Sequence, residues 1–382
     1  MRFLVIGAGK QGTACAFDLL RQPATKSVIL ADVDVARVPA FLDPWRGKSL
    51  DLLRLDLNDP SAVAAALGRV DCVCCAAPYF FNAALTKASI EAGKHYCDLG
   101  GNTEVVFRQK EMHAPAVEKG VSVVPDCGVA PGMVNILAGE GIRRLDKAET
   151  VKIYVGGLPQ QPEPPLNYMV VYSLEGCLDY YTSPSWVLRG GKRTQVDALS
   201  ELEEIEFPAP WGKLEAFHTG GGISTMPFTW EGKVQTMEYK TLRFPGHVAI
   251  VKPIRELGLI SNEPIEVDGV KVRPRALFIA ASAPVLVRPE GRDLVALQVD
   301  VTGVRDGEPA GTRWQMVDLY DEEHHVTAMM RTTGYSLAIT AIMLLDGRIP
   351  KPGVYAPDEI VPGRPMIEEL ARRGIVLRES AL

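Results

Sequence analysis

The stretch Phe3 to Gly12, with the sequence FLVIGAGKQG, decides how the rest of the chain is interpreted. Its first four residues form a continuous apolar run, typical of a strand buried on both faces of a parallel sheet. Gly7, Gly9 and Gly12 follow in the spacing G-x-G-x-x-G, in which the glycines allow a tight turn, close approach of a pyrophosphate and close packing of a helix. We therefore predict a strand, a phosphate-binding turn and a helix over Thr13 to Leu20.

A second apolar run, Val28 to Ala31, ends at Asp32. A carboxylate at this position accepts hydrogen bonds from the adenosine ribose and repels a 2′-phosphate, and no arginine follows directly. The pattern predicts a nicotinamide or flavin dinucleotide, with NAD favoured over NADP. The alternative is a doubly wound domain whose glycine turn is only structural. The residues predicted to bind the cofactor are Gly7, Gly9, Lys10, Gln11, Gly12, Asp32, Ala76, Ala77 and Pro78.

The composition is that of a globular protein with two or three domains, since 382 residues exceed the usual domain of about 150. A net charge of −6 and the lack of a basic block interleaved with aromatic residues argue against a nucleic-acid partner. No apolar run approaches the roughly 18 to 20 residues that cross a bilayer, so no membrane partner is predicted. The first residues show no export signal, so we expect a cytoplasmic protein.

The seven cysteines do not have the spacing of a disulfide framework or of a zinc site, and buried reduced thiols are the better interpretation. His324 and His325 resemble a metal-binding pair. Neighbours on a strand point in opposite directions, however, and no third ligand lies nearby in the sequence. We interpret both histidines as structural and predict no metal.

Strands and helices alternate from Leu50 to Pro125, which favours a doubly wound parallel sheet. Strands are predicted at Leu50–Asp56, Val70–Ala77, His95–Asp98 and Ser122–Pro125. Helices are predicted at Ser61–Leu67, Asn82–Gly93, Thr103–Lys119 and Met133–Leu145.

The pattern changes near Val151, where period-two alternation predicts a second, mostly antiparallel α+β domain. Its predicted strands include Val151–Val155, Ala276–Ala281, Leu294–Val301 and Thr312–Tyr320. The apolar run Thr333–Leu345 predicts a buried helix that returns to the first domain. The predicted fold class is α/β, with a Rossmann domain at 1–134, an inserted α+β domain at 135–332, and a C-terminal return at 333–382.

Several motifs together resemble the saccharopine dehydrogenase superfamily, and within it the lysine 6-dehydrogenase branch. They lie between residues 7 and 247 and read GAGKQG, CCAAPYFFN, YCDLGGN, PDCGVAPGM, YSLEG, LEAFHT and EYKTLRFPGH. The resemblance implies a Rossmann domain closed by a C-terminal return, an inserted catalytic domain that also forms a homodimer, and NAD(P)-linked chemistry at a carbon bearing nitrogen.

The resemblance further implies NAD-dependent conversion of L-lysine to 2-aminoadipate 6-semialdehyde and ammonia. One alternative is a saccharopine-type reductase that joins an amino acid to the semialdehyde. Another is a non-catalytic protein that binds NAD and a partner or senses the cofactor's state.

Oxidising a primary amine requires a neutral nitrogen, and hydrolysing the imine requires a proton acceptor. The titratable candidates in the matching loops are Asp98, Asp126, Glu175, Lys240 and His247. Asp126 ranks first because its loop resembles the family's substrate-facing loop. The alternatives are that Asp98 shapes a turn, that Asp126 caps a helix and that His247 is structural.

Substrate recognition is assigned to Arg243, because the α-carboxylate of an amino acid suits a planar two-pronged donor. The alternative is a surface salt bridge. Four tyrosines are predicted to line the substrate pocket, although tyrosine also suits an amphipathic core position. They are Tyr79, Tyr168, Tyr172 and Tyr239.

Overall fold

A computed structural model describes all 382 residues and contains a parallel sheet of seven strands. Its first six strands are β1 (Arg2–Ile6), β2 (Ser27–Asp32), β3 (Leu50–Arg54), β4 (Cys72–Cys75), β5 (His95–Asp98) and β6 (Ser122–Val124). β1 lies between β4 and β2, so Val5 pairs with Cys74 on one side and Leu30 on the other. Because both neighbours and both faces enclose it, the apolar run at the N-terminus is fully buried.

Helices cover both faces of this parallel sheet. They are α1 (Lys10–Leu20), α2 (Pro60–Leu67), α3 (Asn82–Glu91), α4 (Thr103–Lys110) and α5 (His113–Glu118), with 3₁₀ turns at Ala40–Trp45 and Tyr79–Phe81. The single helix predicted over Thr103–Lys119 is wrong, because the chain forms two helices there. Pro115 cannot continue a helix through Glu111, since its ring would meet the carbonyl four residues earlier.

α6 (Met133–Arg143) leads to a nine-stranded sheet in the second half of the chain. The strands from here to the C-terminal region are β7 (Lys147–Pro159), β8 (Ser185–Arg189), β9 (Lys192–Val196), β10 (Glu203–Phe207), β11 (Gly212–His218), β12 (Thr236–Arg243), β13 (Ile265–Val267), β14 (Val270–Val272), β15 (Asp293–Arg305) and β16 (Glu308–Leu319). β13 and β14 form a separate hairpin. In the large sheet only β12 and β7 run parallel, and the other neighbours are antiparallel.

Four helices accompany the second sheet, and one of them corrects a prediction. They are α7 (Leu174–Thr182), α8 (Met226–Thr229), α9 (His247–Glu256) and α10 (Pro274–Leu286). The strand predicted at Ala276–Ala281 is wrong, because these residues lie inside α10. Short apolar runs do not separate helix from strand, and here alanines and a proline at the first helical position favour the helix.

The apolar C-terminal helix, α11 (Ala328–Leu345), is long and apolar enough to cross a membrane, but 83% of it is buried inside the protein. It is a core helix that crosses α1 closely, since a Cβ added at Gly334 would lie 2.7 Å from the Cβ of Ala14. The carboxylate of Asp293, in β15, accepts hydrogen bonds from the first two backbone N–H groups of α11. This contact fixes the start of the helix relative to the second sheet.

The last residues return to both sheets. β17 (Gly353–Val354) pairs with β6, and two helices follow it, α12 (Pro357–Ile360) and α13 (Gly363–Arg372). The terminal strand, β18 (Arg378–Ala381), pairs with β16 of the second sheet instead of the first. All seven cysteines are buried and free of disulfides, in agreement with their interpretation as small core residues.

Candidate active site between the two sheets

The glycine loop after β1 has the shape that a dinucleotide requires. A Cβ at Gly12 would lie 1.8 Å from the carbonyl oxygen of Gly7, and a Cβ at Gly7 would lie 2.8 Å from that of Ala76. The loop therefore packs so closely on α1 and on the end of β4 that neither Gly7 nor Gly12 has room for a side chain. At Gly9, in contrast, an added Cβ meets nothing within 4 Å, and the backbone there opens at the N-terminus of α1. This open position suits the pyrophosphate of a dinucleotide.

Asp32 ends β2 beside this loop. One carboxylate oxygen accepts a hydrogen bond from the backbone N–H of Ala8 at 2.7 Å, and the other accepts from that of Asp34 at 3.1 Å. The carboxylate is thus held against the glycine loop, where the first ribose of a dinucleotide lies.

A cleft of about 780 Å³ extends from the glycine loop and is large enough for a cofactor. Gly9 and Lys10 line it, together with Arg37, which was not predicted from the sequence. Of the other predicted residues, Ala76 contacts Gly7, while Ala77 and Pro78 lead from β4 into the 3₁₀ turn. The residues present fit a dinucleotide.

His324 and His325 also line this cleft of about 780 Å³, which we call the larger cleft, and their side chains make different contacts. His324 Nδ1 lies 3.0 Å from a carboxylate oxygen of Asp321, and its ring lies 5.2 Å from that of Phe17. His325 Nδ1 lies 3.3 Å from the hydroxyl of Tyr320. Both histidines therefore shape one wall of the cofactor cleft.

A smaller cleft of about 230 Å³ lies between the carboxyl edge of the parallel sheet and the second sheet. Gln11 from α1 and Gly100, Gly101 and Gly128 from the loops after β5 and β6 form its floor. The remaining lining residues are Leu99, Val129, Ala130, Pro131, Val155, Gly157, Tyr172, Tyr180, Tyr239, Thr241, Arg243, Met329 and Thr333. This position is where ligands bind in open parallel sheets.

Arg243 is the one charged side chain that lines the smaller cleft. It is only 3% exposed, and none of its nitrogens lies within salt-bridge distance of a carboxylate. Its guanidinium instead lies 4.6 Å from the ring of Tyr168 and donates to the carbonyl oxygen of Leu242 at 2.8 Å. A buried charge without a counterion is costly, so Arg243 is prepared for an anionic ligand.

A directed hydrogen-bond chain orients Arg243. Its Nε donates to the hydroxyl of Tyr181 at 3.1 Å, and that hydroxyl lies 2.9 Å from Nε2 of His247. Nδ1 of His247 lies 3.2 Å from the carbonyl oxygen of Leu166, so Nδ1 carries the proton and Nε2 accepts one from Tyr181. Burial, followed by the charge of Arg243, lowers the pKa of His247 to about 3. His247 is therefore neutral and does not line the cleft.

Asp98 organises the floor of the cleft. One oxygen accepts from the backbone N–H groups of Gly100 at 2.7 Å and Asp126 at 3.2 Å, and the other accepts from Gln109 Nε2 at 2.7 Å. Burial raises its pKa to about 6, although these hydrogen bonds oppose the shift. With its oxygens occupied, the Asp98 side chain shapes the two loops, which matches the structural alternative.

Asp126 lies directly behind the floor of the cleft. A Cβ added at Gly100 would overlap its Oδ1, at 1.7 Å, so the carboxylate touches the backbone that lines the cleft. It is 1% exposed, and neither oxygen has a hydrogen-bond partner. Burial raises its pKa to about 7. Asp126 is the titratable group beside the cleft whose pKa suits proton transfer near neutral pH.

The structure does not bring the other two catalytic candidates to the cleft. Glu175 lies in the first turn of α7, with its side chain 55% exposed and 3.7 Å from Arg275. Lys240 is buried on the opposite face of β12, where its ammonium bonds Glu203 at 2.7 Å. Side chains alternate along a strand, so Lys240 points away from the face that carries Arg243.

The predicted tyrosines divide in a similar way. Tyr172 and Tyr239 line the cleft, and Tyr168 lies under Arg243. Tyr79 does not line it, and its 39% exposed side chain lies against Gly101 instead. Tyr180, Tyr181 and Thr241 were not predicted from the sequence. The alternation along β12 could have found Thr241, which shares a face with Tyr239 and Arg243.

Two family models match almost the whole chain. The saccharopine dehydrogenase NADP binding domain matches residues 3–124, and the saccharopine dehydrogenase C-terminal domain matches residues 128–375. Both matched segments contribute residues to the smaller cleft.

Individual relatives agree with these family models. A saccharopine dehydrogenase [NADP(+), L-glutamate-forming] from Schizosaccharomyces pombe is 22% identical and is matched over 86% of this chain and 88% of its own length. A mitochondrial alpha-aminoadipic semialdehyde synthase from Mus musculus is 23% identical over 80% of this chain and 40% of that protein. The apo structure of L-Glu-forming saccharopine dehydrogenase from Saccharomyces cerevisiae superposes with a TM-score of 0.80 at 21% identity, covering 100% of this chain and 99% of that one.

Proposed function

The chain belongs to the saccharopine dehydrogenase family, and on that premise we propose that it catalyses the NAD-dependent oxidative deamination of the ε-amino group of L-lysine. The family and its relatives support an oxidoreductase of lysine catabolism that uses a nicotinamide cofactor and acts on a carbon–nitrogen bond. The proposed products are 2-aminoadipate 6-semialdehyde and ammonia.

The observation that carries this proposal is the single cation of the smaller cleft. L-lysine brings one carboxylate, and Arg243 supplies one buried guanidinium without a counterion. Saccharopine carries three carboxylates, so a site for it needs several cationic or donor groups. A cleft of about 230 Å³ lined mainly by tyrosine, glycine and apolar residues also suits an unbranched alkyl amine.

The second candidate is the saccharopine-type reaction, which joins L-glutamate to the semialdehyde. The names of the relatives favour it, because those from Schizosaccharomyces pombe and Saccharomyces cerevisiae are described as L-glutamate-forming. The third candidate, a non-catalytic cofactor-binding protein, predicts binding of NADH without turnover.

In the proposed reaction Arg243 binds the α-carboxylate and so orients the substrate along the cleft. The ε-ammonium of lysine has a pKa of about 10.4 in water, and it must lose a proton before the carbon can give up a hydride. Transfer into the cleft lowers that pKa by desolvation, and Asp126, which lies directly behind Gly100, is assigned as the group that receives the proton, by way of a water molecule. The nicotinamide cofactor, when bound at the glycine loop, would supply the acceptor for the hydride. Water then hydrolyses the imine of the substrate.

We favour NAD because the Asp32 carboxylate, held against the glycine loop by the backbone N–H of Ala8, could accept a hydrogen bond from the 2′-hydroxyl of the ribose. A 2′-phosphate at that position would meet like charge from Asp32 and Asp34. The matched family model is described as NADP binding and the relatives are NADP(+) enzymes, so Arg37 in the larger cleft is the competing phosphate partner.

The deciding experiment mixes the purified protein with each cofactor and substrate pair and follows absorbance of the reduced cofactor. NAD with L-lysine should produce NADH, and L-ornithine, one methylene shorter, should react more slowly. Consumption of NADPH only when semialdehyde and L-glutamate are present together would establish the saccharopine-type reaction instead. Binding of NADH without turnover of any amine would establish the non-catalytic alternative.

A further inference from the structure

Several buried polar atoms without partners lie near Asp126, whose carboxylate neighbours the Ser224 hydroxyl and interacts with the charge of Asp358. Of the eleven such side-chain atoms in the protein, five belong to Asp126, Ser224, Thr225 and Asp358. Buried polar groups are normally hydrogen-bonded, either to protein or to ordered water. Their proximity to Asp126 therefore points to a hydrated path, which we call the polar seam and define by these four residues, with Thr225 included as the neighbour of Ser224 in the chain.

Elements from both halves of the chain enclose the polar seam. Trp230, which follows α8, donates from Nε1 to one oxygen of Asp358 at 2.9 Å, and this leaves the other oxygen free. Arg143 of α6 donates to the carbonyl oxygen of Asp358 at 2.7 Å. Phe107 of α4 packs edge-on against Phe228 of α8, with ring centroids 4.9 Å apart. These contacts hold Asp358 and α8 against α6 and α4.

The outer end of the polar seam reaches solvent at one ion pair. Lys110 Nζ and Glu359 Oε2 are 2.8 Å apart, and their side chains are 27% and 25% exposed. Glu359 directly follows Asp358 in α12, while Lys110 ends α4. The seam therefore begins behind the floor of the smaller cleft and ends at the surface.

The charged groups along the seam interact with one another. Burial has the largest effect on the pKa of Asp126 and raises it. The neighbouring Ser224 hydroxyl and the Lys110 ammonium lower this pKa, whereas the Asp98 and Asp358 carboxylates raise it. Burial also raises the pKa of Asp358 to about 6, close to the value of about 7 for Asp126. Proton transfer between groups of similar pKa needs little energy in either direction.

We propose that the polar seam holds a chain of water molecules and conducts the proton released in the smaller cleft from Asp126, through Asp358, to solvent at the Lys110–Glu359 pair. This role rests on the proposed function, which releases one net proton to solvent. The substrate ammonium gives its proton to Asp126, and the amine carbon then transfers a hydride, with its electron pair, to the oxidised cofactor. Asp126 passes the proton outward and returns to the carboxylate.

The kinetic test compares proton release with hydride transfer in the variant Asp358→Asn. Asparagine keeps the volume and the acceptor for Trp230 but cannot carry the proton. In a stopped-flow mixture with NAD and L-lysine, NADH absorbance reports hydride transfer and phenol red reports the released proton. We expect the two signals to coincide in the wild type and proton release to lag by about tenfold or more in the variant. Coincident signals in Asp358→Asn would overturn the proposal.

Two further variants separate this role from a structural one. Asp318→Asn removes a carboxylate of similar burial that pairs with Arg331 outside the seam, and its two signals should coincide. Thr225→Val removes one hydroxyl of the seam without changing its volume and should show the lag even if Asp358→Asn does not fold.

A high-resolution crystal structure provides a test that needs no turnover. Ordered water should connect the free oxygens of Asp126, Thr225 and Asp358, and a dry seam would refute the path. If the wild type fails to oxidise L-lysine, the proposed substrate is wrong, and the crystallographic result alone decides whether the hydrated seam exists.

Discussion

Arg243 donates a hydrogen bond of 3.1 Å from Nε to the hydroxyl of Tyr181, a residue with no direct place in the smaller cleft. Of the terminal nitrogens, Nη1 donates to the carbonyl oxygen of Leu242 at 2.8 Å and Nη2 lies 3.9 Å from Sγ of Cys177, so no carboxylate neutralises the guanidinium. The neutral His247 accepts a hydrogen bond from the Tyr181 hydroxyl. Because His247 does not change its charge near neutral pH, the orientation of Arg243 does not depend on pH in that range. Two residues outside the lining of the cleft, Tyr181 and His247, therefore position Arg243.

Arg243→Met should raise KM for L-lysine by roughly 10- to 100-fold, since a hydrogen bond to a charged group is worth about 1.5–3 kcal/mol. Its melting temperature should not fall, because the variant removes a buried charge that lacks a counterion. Lys240→Met is the matched control: it removes a buried cation from the opposite face of β12 and should leave KM unchanged. Steady-state kinetics in which both variants keep the wild-type KM would exclude Arg243 from carboxylate binding.

Tyr181→Phe should raise KM about fivefold and leave kcat nearly unchanged, because it removes one hydrogen bond, worth about 1 kcal/mol, that positions Arg243. Tyr154→Phe removes a hydroxyl 3.3 Å from Glu203, away from the cleft, and serves as the control. A fall in kcat at constant KM would contradict a positioning role for Tyr181.

Asp126→Asn should become more stable relative to the wild type as the pH rises from 5 to 8. Burial raises the pKa of Asp126 from 3.8 to about 7, so the folded chain holds this proton more tightly than the unfolded chain. Its stabilising contribution is complete below pH 3.8 and is lost as the pH rises to 7, by roughly 1.4 kcal/mol per pH unit in between. Urea denaturation at several pH values measures the difference, and a pH-independent difference would contradict the raised pKa.

Gly9→Ala and Gly12→Ala should separate cofactor binding from folding. A Cβ at Gly9 meets no protein atom within 4 Å, so this variant should keep the wild-type melting temperature but bind NADH more weakly. A Cβ at Gly12 would lie 1.8 Å from a backbone oxygen, so the second variant should lose both stability and binding. Calorimetry and NADH fluorescence measure the two effects. Unchanged NADH affinity in Gly9→Ala would argue against a pyrophosphate at this position.

Asp32→Asn should weaken NAD binding and improve the use of NADP, because it removes the negative charge that opposes a 2′-phosphate. The ratio of kcat/KM for the two cofactors measures the change, which should exceed about tenfold. Asp51→Asn is the control, since it removes a surface carboxylate of β3 that pairs with Arg69 at 2.9 Å. A wild type that already prefers NADP would show that Arg37 outweighs Asp32.

The local patterns of the first half predicted its structure well. The apolar run before Gly7 and the alternation up to Pro125 place the strands of the parallel sheet, because a strand buried on both faces leaves a continuous apolar signature. Errors arose where short segments were ambiguous, as at Ala276–Ala281, which forms part of α10.

The candidate site was predictable only in part. Asp98 and Asp126 were located because residues at the carboxyl ends of parallel strands meet at one edge of the sheet. Glu175 and Lys240 were selected from similar motifs, but they point away from the cleft, since a motif does not specify which face a side chain occupies. Tyr181 carried no signal of its own, because its contact with Arg243 depends on how α7 packs against β12.

The sequence by itself determined the strand, the glycine turn and the helix that predict a dinucleotide site, because these interactions are local and Gly7 and Gly12 each meet a backbone requirement. Only the tertiary structure decided that Arg243 is a buried cation without a counterion, and that Asp126 faces both the cleft floor and a polar path towards Asp358. Both properties depend on burial and on neighbours from distant parts of the chain. Desolvation and unpaired hydrogen-bonding groups arise only when those parts pack together.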